Sequence, residues 1–318
     1  MSEKRETLSI VIPAYNEGGN VNTAAEAIFA VTDREGIDAA IYFVDDGSKD
    51  DSWERICALA DSSGRVHGVR FSRNFGKEAA IFAGLEAAAG DCCAVMDCDL
   101  QHPPETLVQM YRLWLNGAEV VEGVKKSRGR EGLLYKAMTK LFYGMMSSAT
   151  KSDMSRASDF KLLDRRAVDS ILQLPERNTF FRALSAWVGY RTALVEFDVQ
   201  PRTAGQSKWS RLSLIRYAVD NITSFTTKPL LFILILGTLF LLLALVLGVI
   251  CLVQYFSGRA LGGFTTVILI DLIIGSIMMI SLGILGVYVG KIYEEVKARP
   301  RYIVAETTAL PDRRSGRE

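Results

Sequence analysis

Short apolar runs alternate with longer amphipathic stretches at the start of the chain. "LSIVIP" (8–13), "AIYFVD" (40–45), "VHGVRFS" (66–72) and "CCAVMD" (92–97) are of strand length, apolar and bounded by turn residues. Between them "GNVNTAAEAIFAVTD" (19–33), "DDSWERICALADSSG" (50–64) and "GKEAAIFAGLEAAAG" (76–90) read as capped helices. Strands alternating with helices predict an α/β fold on a mostly parallel sheet. Ligands of such sheets bind beyond the carboxyl ends of the strands.

The pattern changes after Lys228. Leu230 to Val253 carries no charge, and Phe264 to Gly290 carries one, Asp271. Each exceeds the roughly 20 residues that cross a ~30 Å hydrocarbon layer, which argues against buried core helices. Lys228 precedes the first run, and Lys291, Lys297, Arg299 and Arg301 follow the second, with only Arg259 between them. This charge bias predicts a multi-pass membrane protein with both termini cytoplasmic. The start, "MSEKRETLSI", lacks the apolar core of a secretory signal and agrees with that orientation. Ala244/Gly248 and Gly286/Gly290 would let helices approach closely, within a homo-oligomer for example; chance glycines on lipid-facing helices explain them equally well. Asp271 is expected to face a partner helix, a neighbouring subunit or water.

Two amphipathic stretches come before the spans. Leu134, Met138, Leu141 and Met145 recur at helical spacing with Lys136 and Lys140 between them. Leu212, Ile215, Val219 and Ile222 do the same beside Lys208, Arg211 and Arg216. Such stripes suit helices in the headgroup layer, or helices packed on the soluble domain. The expected organisation is a cytoplasmic domain over 1–208 with an interface helix at about 132–147, a juxtamembrane helix over 209–228, two spans over 229–290 and a cytoplasmic tail over 291–318. The end, "TTALPDRRSGRE", reads as solvated.

Composition sharpens this division. Lys and Arg number 37 against 36 for Asp and Glu in 318 residues, so no bulk field attracts nucleic acid. Mean hydropathy is +0.16 although 23% of residues are charged, which implies that a soluble and a membrane part are segregated. The five cysteines form no C-x-x-C pair, consistent with reduced, buried thiols.

Candidate chemistry follows the predicted strands. "PAYNEG" comes after the first, "DDGSKD" after the second, "SRNFGKE" after the third and "DCDLQHPPE" after the fourth. Asp45 and Asp46 could accept hydrogen bonds from a base or ribose, with Tyr15 as an aromatic wall. If the fourth strand stays extended, Asp97 and Asp99 point the same way and repel, so a positive charge is expected between them. With Gln101 they offer hard oxygen ligands suited to Mg²⁺ or Mn²⁺. His102, beside two prolines, is expected to be structural rather than a ligand. Neither G-x-x-x-x-G-K-[ST] nor G-x-G-x-x-G occurs.

"VIPAYNE", "FVDDGSKD" and "MDCDLQHPPE" resemble the signatures of family 2 glycosyltransferases with the GT-A fold. "SDFKLLDRR" (158–166), "RTAGQSKW" (202–209) and "KARPRYIV" (297–304) narrow the resemblance to polyprenyl-phosphate glycosyltransferases, the group of dolichyl-phosphate mannose synthase and bacterial undecaprenyl-phosphate sugar transferases. The Q-x-x-R-W of processive synthases does not occur.

The resemblance implies a nucleotide pocket of Pro13, Tyr15, Glu17, Asp45, Asp46 and Asp97. It implies a metal and diphosphate site of Asp97, Asp99 and Gln101, with Asp99 and Asp159 at the reacting centre. Asp159 would orient sugar or nucleophile, or anchor backbone. Lys125, Arg128 and Lys136 stand near the first amphipathic stretch, suited to a lipid phosphate or merely solvated; Arg202, Ser207 and Lys208 match the family's phosphate loop. The implied reaction moves a sugar from a nucleotide sugar, expected to be a UDP-sugar, to undecaprenyl phosphate with inversion, and the resemblance implies the bacterial inner membrane as its place. The alternatives are a GDP-mannose donor or a non-catalytic membrane scaffold.

Overall fold

The structure, a computed structural model, describes residues 6–126, 143–145, 147–148, 157–177, 180–200, 222–224, 226–257 and 263–311. The chain divides into two compact units, 1–211 with 299–318, and 212–298.

The first unit is built on β1 (Thr7–Ala14), β2 (Asp38–Asp45), β3 (Val66–Phe71) and β4 (Cys92–Val95), joined by α1 (Gly18–Arg34), α2 (Ser52–Ser62) and α3 (Lys77–Ala87). The four predicted strands are thus present, within a residue or two of their expected bounds. They pair in parallel in the order β4-β1-β2-β3. Ile10, Ile12, Ile41, Phe43 and Ala94 are fully or almost fully buried beneath α1 residues such as Val21 and Ile28. Near-continuous apolar strands of this kind belong to sheets covered on both faces. Gly84 lets α3 lie close on the other face, because a Cβ there would sit 2.2 Å from Val11 Cγ1.

After β4 come α4 (Pro104–Leu115), β5 (Val120–Lys125), β6 (Lys161–Asp164), α5 (Arg165–Leu172), α6 (Phe181–Trp187) and β7 (Thr192–Phe197). Pro104 opens α4, where its missing N–H has no intrahelical partner to lose. The paired prolines therefore serve as a helix start. β6 runs antiparallel to both β4 and β5, and β5 runs parallel to β7. The residues entering β6 consequently lie at the same edge as those leaving β1, β2 and β4.

In the second unit α7 (Lys228–Phe256) and α8 (Phe264–Lys297) are each long and apolar enough to cross a membrane. Helix α8 continues past Gly290, where the second span was expected to end. The solvated tail expected from Thr307 onward needs a correction at its start. Val304–Thr307 forms β8, antiparallel on the β3 edge, and Thr308 N donates to Gly68 O at 3.0 Å. An unpaired sheet edge offers free backbone donors and acceptors, and this segment takes them up. The first unit is therefore interrupted by the long helices and completed by residues that follow them.

Candidate active site

The loops at the carboxyl edge are tied to one another by side chain–backbone bonds. Asn16 N donates to Ser48 Oγ at 2.9 Å, Glu17 N to Ser52 Oγ at 2.9 Å, and Lys49 N to Asn16 Oδ1 at 2.9 Å. Gly47, at φ +68°, lets the loop after β2 meet the loop after β3, since a Cβ would sit 2.5 Å from the Arg73 carbonyl carbon. Asp45 is fully buried and its Oδ1 accepts from Ser48 N at 3.0 Å. Asp46 accepts from Phe75 N at 2.6 Å and Gly76 N at 2.9 Å. Burial raises the Asp46 pKa in spite of those bonds. Asp46 thus anchors the loop that leads into α3. Tyr15 is exposed beside this end, and Glu17 accepts from Asn20 Nδ2 at 2.6 Å.

The fourth strand ends before the carboxylates. β4 stops at Val95, and Asp97–Leu100 form a turn with Leu100 at φ +55°. The expected pair of same-facing strand carboxylates is therefore replaced by a bend, in which Asp99 Oδ1 accepts from Gln101 N at 3.1 Å. The β4–β6 register explains the neighbour of Asp97 instead. Val95 faces Lys161 in antiparallel pairing, and continuing that register by two residues puts Asp97 opposite Asp159.

Between those two carboxylates stands Lys77, the first residue of α3. Its Nζ lies 2.6 Å from Asp97 Oδ1 and 3.0 Å from Asp159 Oδ2. Arg182, on α6, grips Asp159 through Nε at 2.7 Å and a terminal nitrogen at 2.8 Å. A lysine thus stands between Asp97 and Asp159, a pairing the sequence did not predict. Burial alone would raise the Asp159 pKa, but Lys77 and Arg182 hold it well below the usual carboxylate range. Lys77 is partly exposed, and although desolvation opposes its charge, Asp97 and Asp159 hold its pKa above the ordinary lysine value. Glu78 accepts from Phe181 N at 2.8 Å, and burial together with Asp159 pushes its pKa up to about 7.

Behind the cluster, Lys161 pairs with Glu122 at 3.2 Å across β5 and β6. His102 stacks on Phe160 at 4.6 Å, and its Nδ1 accepts from Asp97 N at 3.4 Å. Burial lowers its pKa, so it is a neutral packing residue, as its two prolines suggested.

The structure brings Pro13, Tyr15, Glu17, Asp45, Asp46, Asp97, Asp99, Gln101 and Asp159 to one sheet edge. Lys125 is exposed at the same edge, at the end of β5. Arg128, Lys136, Arg202, Ser207 and Lys208 lie outside the described residues. Sequence reasoning missed Lys77 and Arg182. Lys77 lay inside a flagged cluster, whereas Arg182 carried no local signal. Among the described residues no three His, Cys, Asp or Glu side chains converge as a complete metal cage. The oxygens of Asp97, Asp99 and Gln101 nevertheless fit a hard cation that takes its other ligands from phosphates.

Residues 9–172 match the family described as "Glycosyl transferase family 2". The chain is 37% identical over 305 residues to "Uncharacterized glycosyltransferase sll0501" of Synechocystis sp., covering 95% of this chain and 96% of that one. It is 34% identical over 299 residues to the "Prophage bactoprenol glucosyl transferase homolog" of Escherichia coli, covering 93% and 98%. A solved structure of glucosyl-3-phosphoglycerate synthase from Mycobacterium tuberculosis, in complex with Mn²⁺, UDP-glucose and phosphoglyceric acid, aligns with a TM-score of 0.47 and 20% identity over 69% of this chain and 78% of that one.

Proposed function

The chain belongs to glycosyl transferase family 2 and is a glycosyltransferase, and we propose that it transfers a hexose, glucose in the first instance, from a UDP-sugar to a polyprenyl phosphate at a membrane surface. The observation that carries this reading is the meeting of the Asp97–Gln101 turn with the Lys77–Asp159–Arg182 cluster. The bactoprenol glucosyl transferases among the relatives, and the two membrane-length helices, support a lipid acceptor.

The donor's nucleoside would lie over Pro13, Tyr15, Glu17, Asp45 and Asp46. Asp97, Asp99 and Gln101 would hold Mg²⁺ or Mn²⁺, which when bound neutralises the diphosphate. A phosphate oxygen of the lipid forms the new bond to the anomeric carbon as the bond to UDP breaks, and UDP leaves with the electron pair. That oxygen is already ionised, so the step needs alignment and charge stabilisation more than a proton acceptor. Asp159, held ionised, fits this need: it positions Lys77 and Arg182 beside the reacting centre. Lys125, Arg128, Lys136, Arg202, Ser207 and Lys208 would meet the lipid phosphate. Both termini would be cytoplasmic, on the side where nucleotide sugars are made.

The test is product mass spectrometry of the full chain with undecaprenyl phosphate and a panel of nucleotide sugars. A lipid-phosphate hexose formed from UDP-glucose is the expected product; formation from GDP-mannose alone, or no product at all, overturns the reading. In the same assay Asp99→Ala should lose transfer and divalent-dependent nucleotide binding while keeping its fold. Retention of more than about a tenth of turnover, ~1.4 kcal/mol of barrier, would remove Asp99 from the metal site.

A further inference from the structure

We propose that the strand following the membrane-length helices is a working part of the donor site: Glu306 on β8 sets Arg70 against the buried carboxylate of Asp45, which makes Arg70 and Glu306 positioning residues for nucleotide binding. The proposal rests on the reading of the β2 end as the nucleotide pocket.

Register places the three residues in one row. Strands β2, β3 and β8 are neighbours; Asp45 pairs with Arg70, and Arg70 pairs with Glu306. Directly opposed residues present their side chains on one face, so an acid–base–acid row crosses three strands at the site edge. Arg70 Nε lies 3.3 Å from Asp45 Oδ2, and another guanidinium nitrogen donates to Glu306 Oε1 at 3.0 Å.

Asp45 depends on where that guanidinium sits. Its side chain is fully buried, and among the described residues Oδ2 accepts no hydrogen bond. A buried carboxylate oxygen without a donor is costly unless a charge stands beside it. Arg70 is that charge, but arginine has many rotamers, and something must select the one facing Asp45.

Glu306 makes the selection and is itself held. Its Oε2 accepts from Trp53 Nε1 at 3.1 Å, and the Arg70 guanidinium lies 5.8 Å from the Trp53 ring. The β3–β8 pairing is irregular between Arg70 and Phe71; such bulges re-aim side chains next to functional sites. Asp45 Oδ1 holds Ser48 N, and Ser48 Oγ holds Asn16 N, beside Tyr15 and Glu17. Glu306 thereby reaches the donor loops through Arg70, Asp45 and Ser48.

The experiment compares Glu306→Gln, Arg70→Gln and the double variant in the full chain in detergent. Calorimetry is run with UDP and, in parallel, GDP, each with Mn²⁺, together with donor and acceptor KM values. Each single substitution is expected to weaken binding of the preferred nucleotide by about fivefold or more, the scale of one partly exposed charged contact. The double variant should bind no more weakly than Arg70→Gln alone, and the KM for polyprenyl phosphate should stay within about twofold of wild type. Wild-type nucleotide affinity in Glu306→Gln overturns the proposal. So does a parallel rise of both KM values with a fall in melting temperature, which marks a merely structural role. A wild-type chain that binds neither nucleotide overturns the pocket reading itself, and is told apart from failure of the Glu306 link by the behaviour of the unmutated protein.

Discussion

The carboxylates at the end of β2 and those beside the end of β4 stand at the same sheet edge and differ in how far backbone donors satisfy them. Asp46 accepts backbone N–H groups of Phe75 and Gly76, and Asp45 accepts that of Ser48 on one oxygen, with Arg70 beside the other. Asp97 and Asp159 face side-chain cations, Lys77 and Arg182. A backbone donor is fixed by the fold, so the β2 end is a rigid rest on which a base or ribose can be laid. A lysine or arginine head can be drawn toward an arriving phosphate, so the β4 end is suited to charge that appears during reaction. One edge thus offers a recognition half and a reaction half, and substitutions should separate them.

The largest effect is expected at the reaction half. Asp159→Ala leaves Lys77 and Arg182 without their shared anion, and kcat/KM should fall by about 10³ or more, ~4 kcal/mol of barrier. Steady-state transfer assays check this, with circular dichroism to confirm the fold. Activity within tenfold of wild type would make the cluster structural and dissolve the contrast.

Removing the cation comes next. Lys77→Met sets the Asp97 and Asp159 carboxylates against each other, and turnover should drop by about 10²-fold, roughly 2.7 kcal/mol. Because the Lys77 head is partly exposed, the melting temperature should fall by only a few degrees, which calorimetric scanning resolves.

At the recognition half the order of effects should invert. Asp46→Ala strips Phe75 N and Gly76 N of their acceptor, at a cost of about 1–3 kcal/mol in stability. The donor KM should rise with the loosened loop, while kcat moves little. A kcat loss as large as that of Lys77→Met would show that the two halves are not separate.

The smallest effect is a pH slope. Glu78 holds its proton up to about pH 7 in the folded chain against an ordinary value of 4.5. Between those values the folded state binds more protons than the unfolded one, so stability falls as pH rises from about 4.5 to 7. Glu78→Gln should flatten that part of the profile in melting temperatures measured across the range. An unchanged slope would assign the titration to another group.

Much of this was written locally. The apolar runs at 8–13, 40–45, 66–72 and 92–97, the helices between them and the two long apolar segments are periodic within a few residues, and periodicity is a near-neighbour property. The gathering of the donor and metal candidates at one edge follows from strand–helix alternation, because it turns each loop after a strand to the same side. Even the structural role of His102 was legible from turn chemistry.

The tertiary structure decided which charges meet. Lys77 reaches Asp159 across 82 residues, Arg182 reaches it across 23, and Arg70 reaches Glu306 across 236. Nothing in a run of sequence distinguishes these cations from solvated ones, since an ion pair has no period. Their meeting depends on the antiparallel entry of β6 beside β4, and on β8 closing the β3 edge after the chain has passed through two long apolar helices. Both are matters of strand register between distant segments, and register exists only once the sheet has formed.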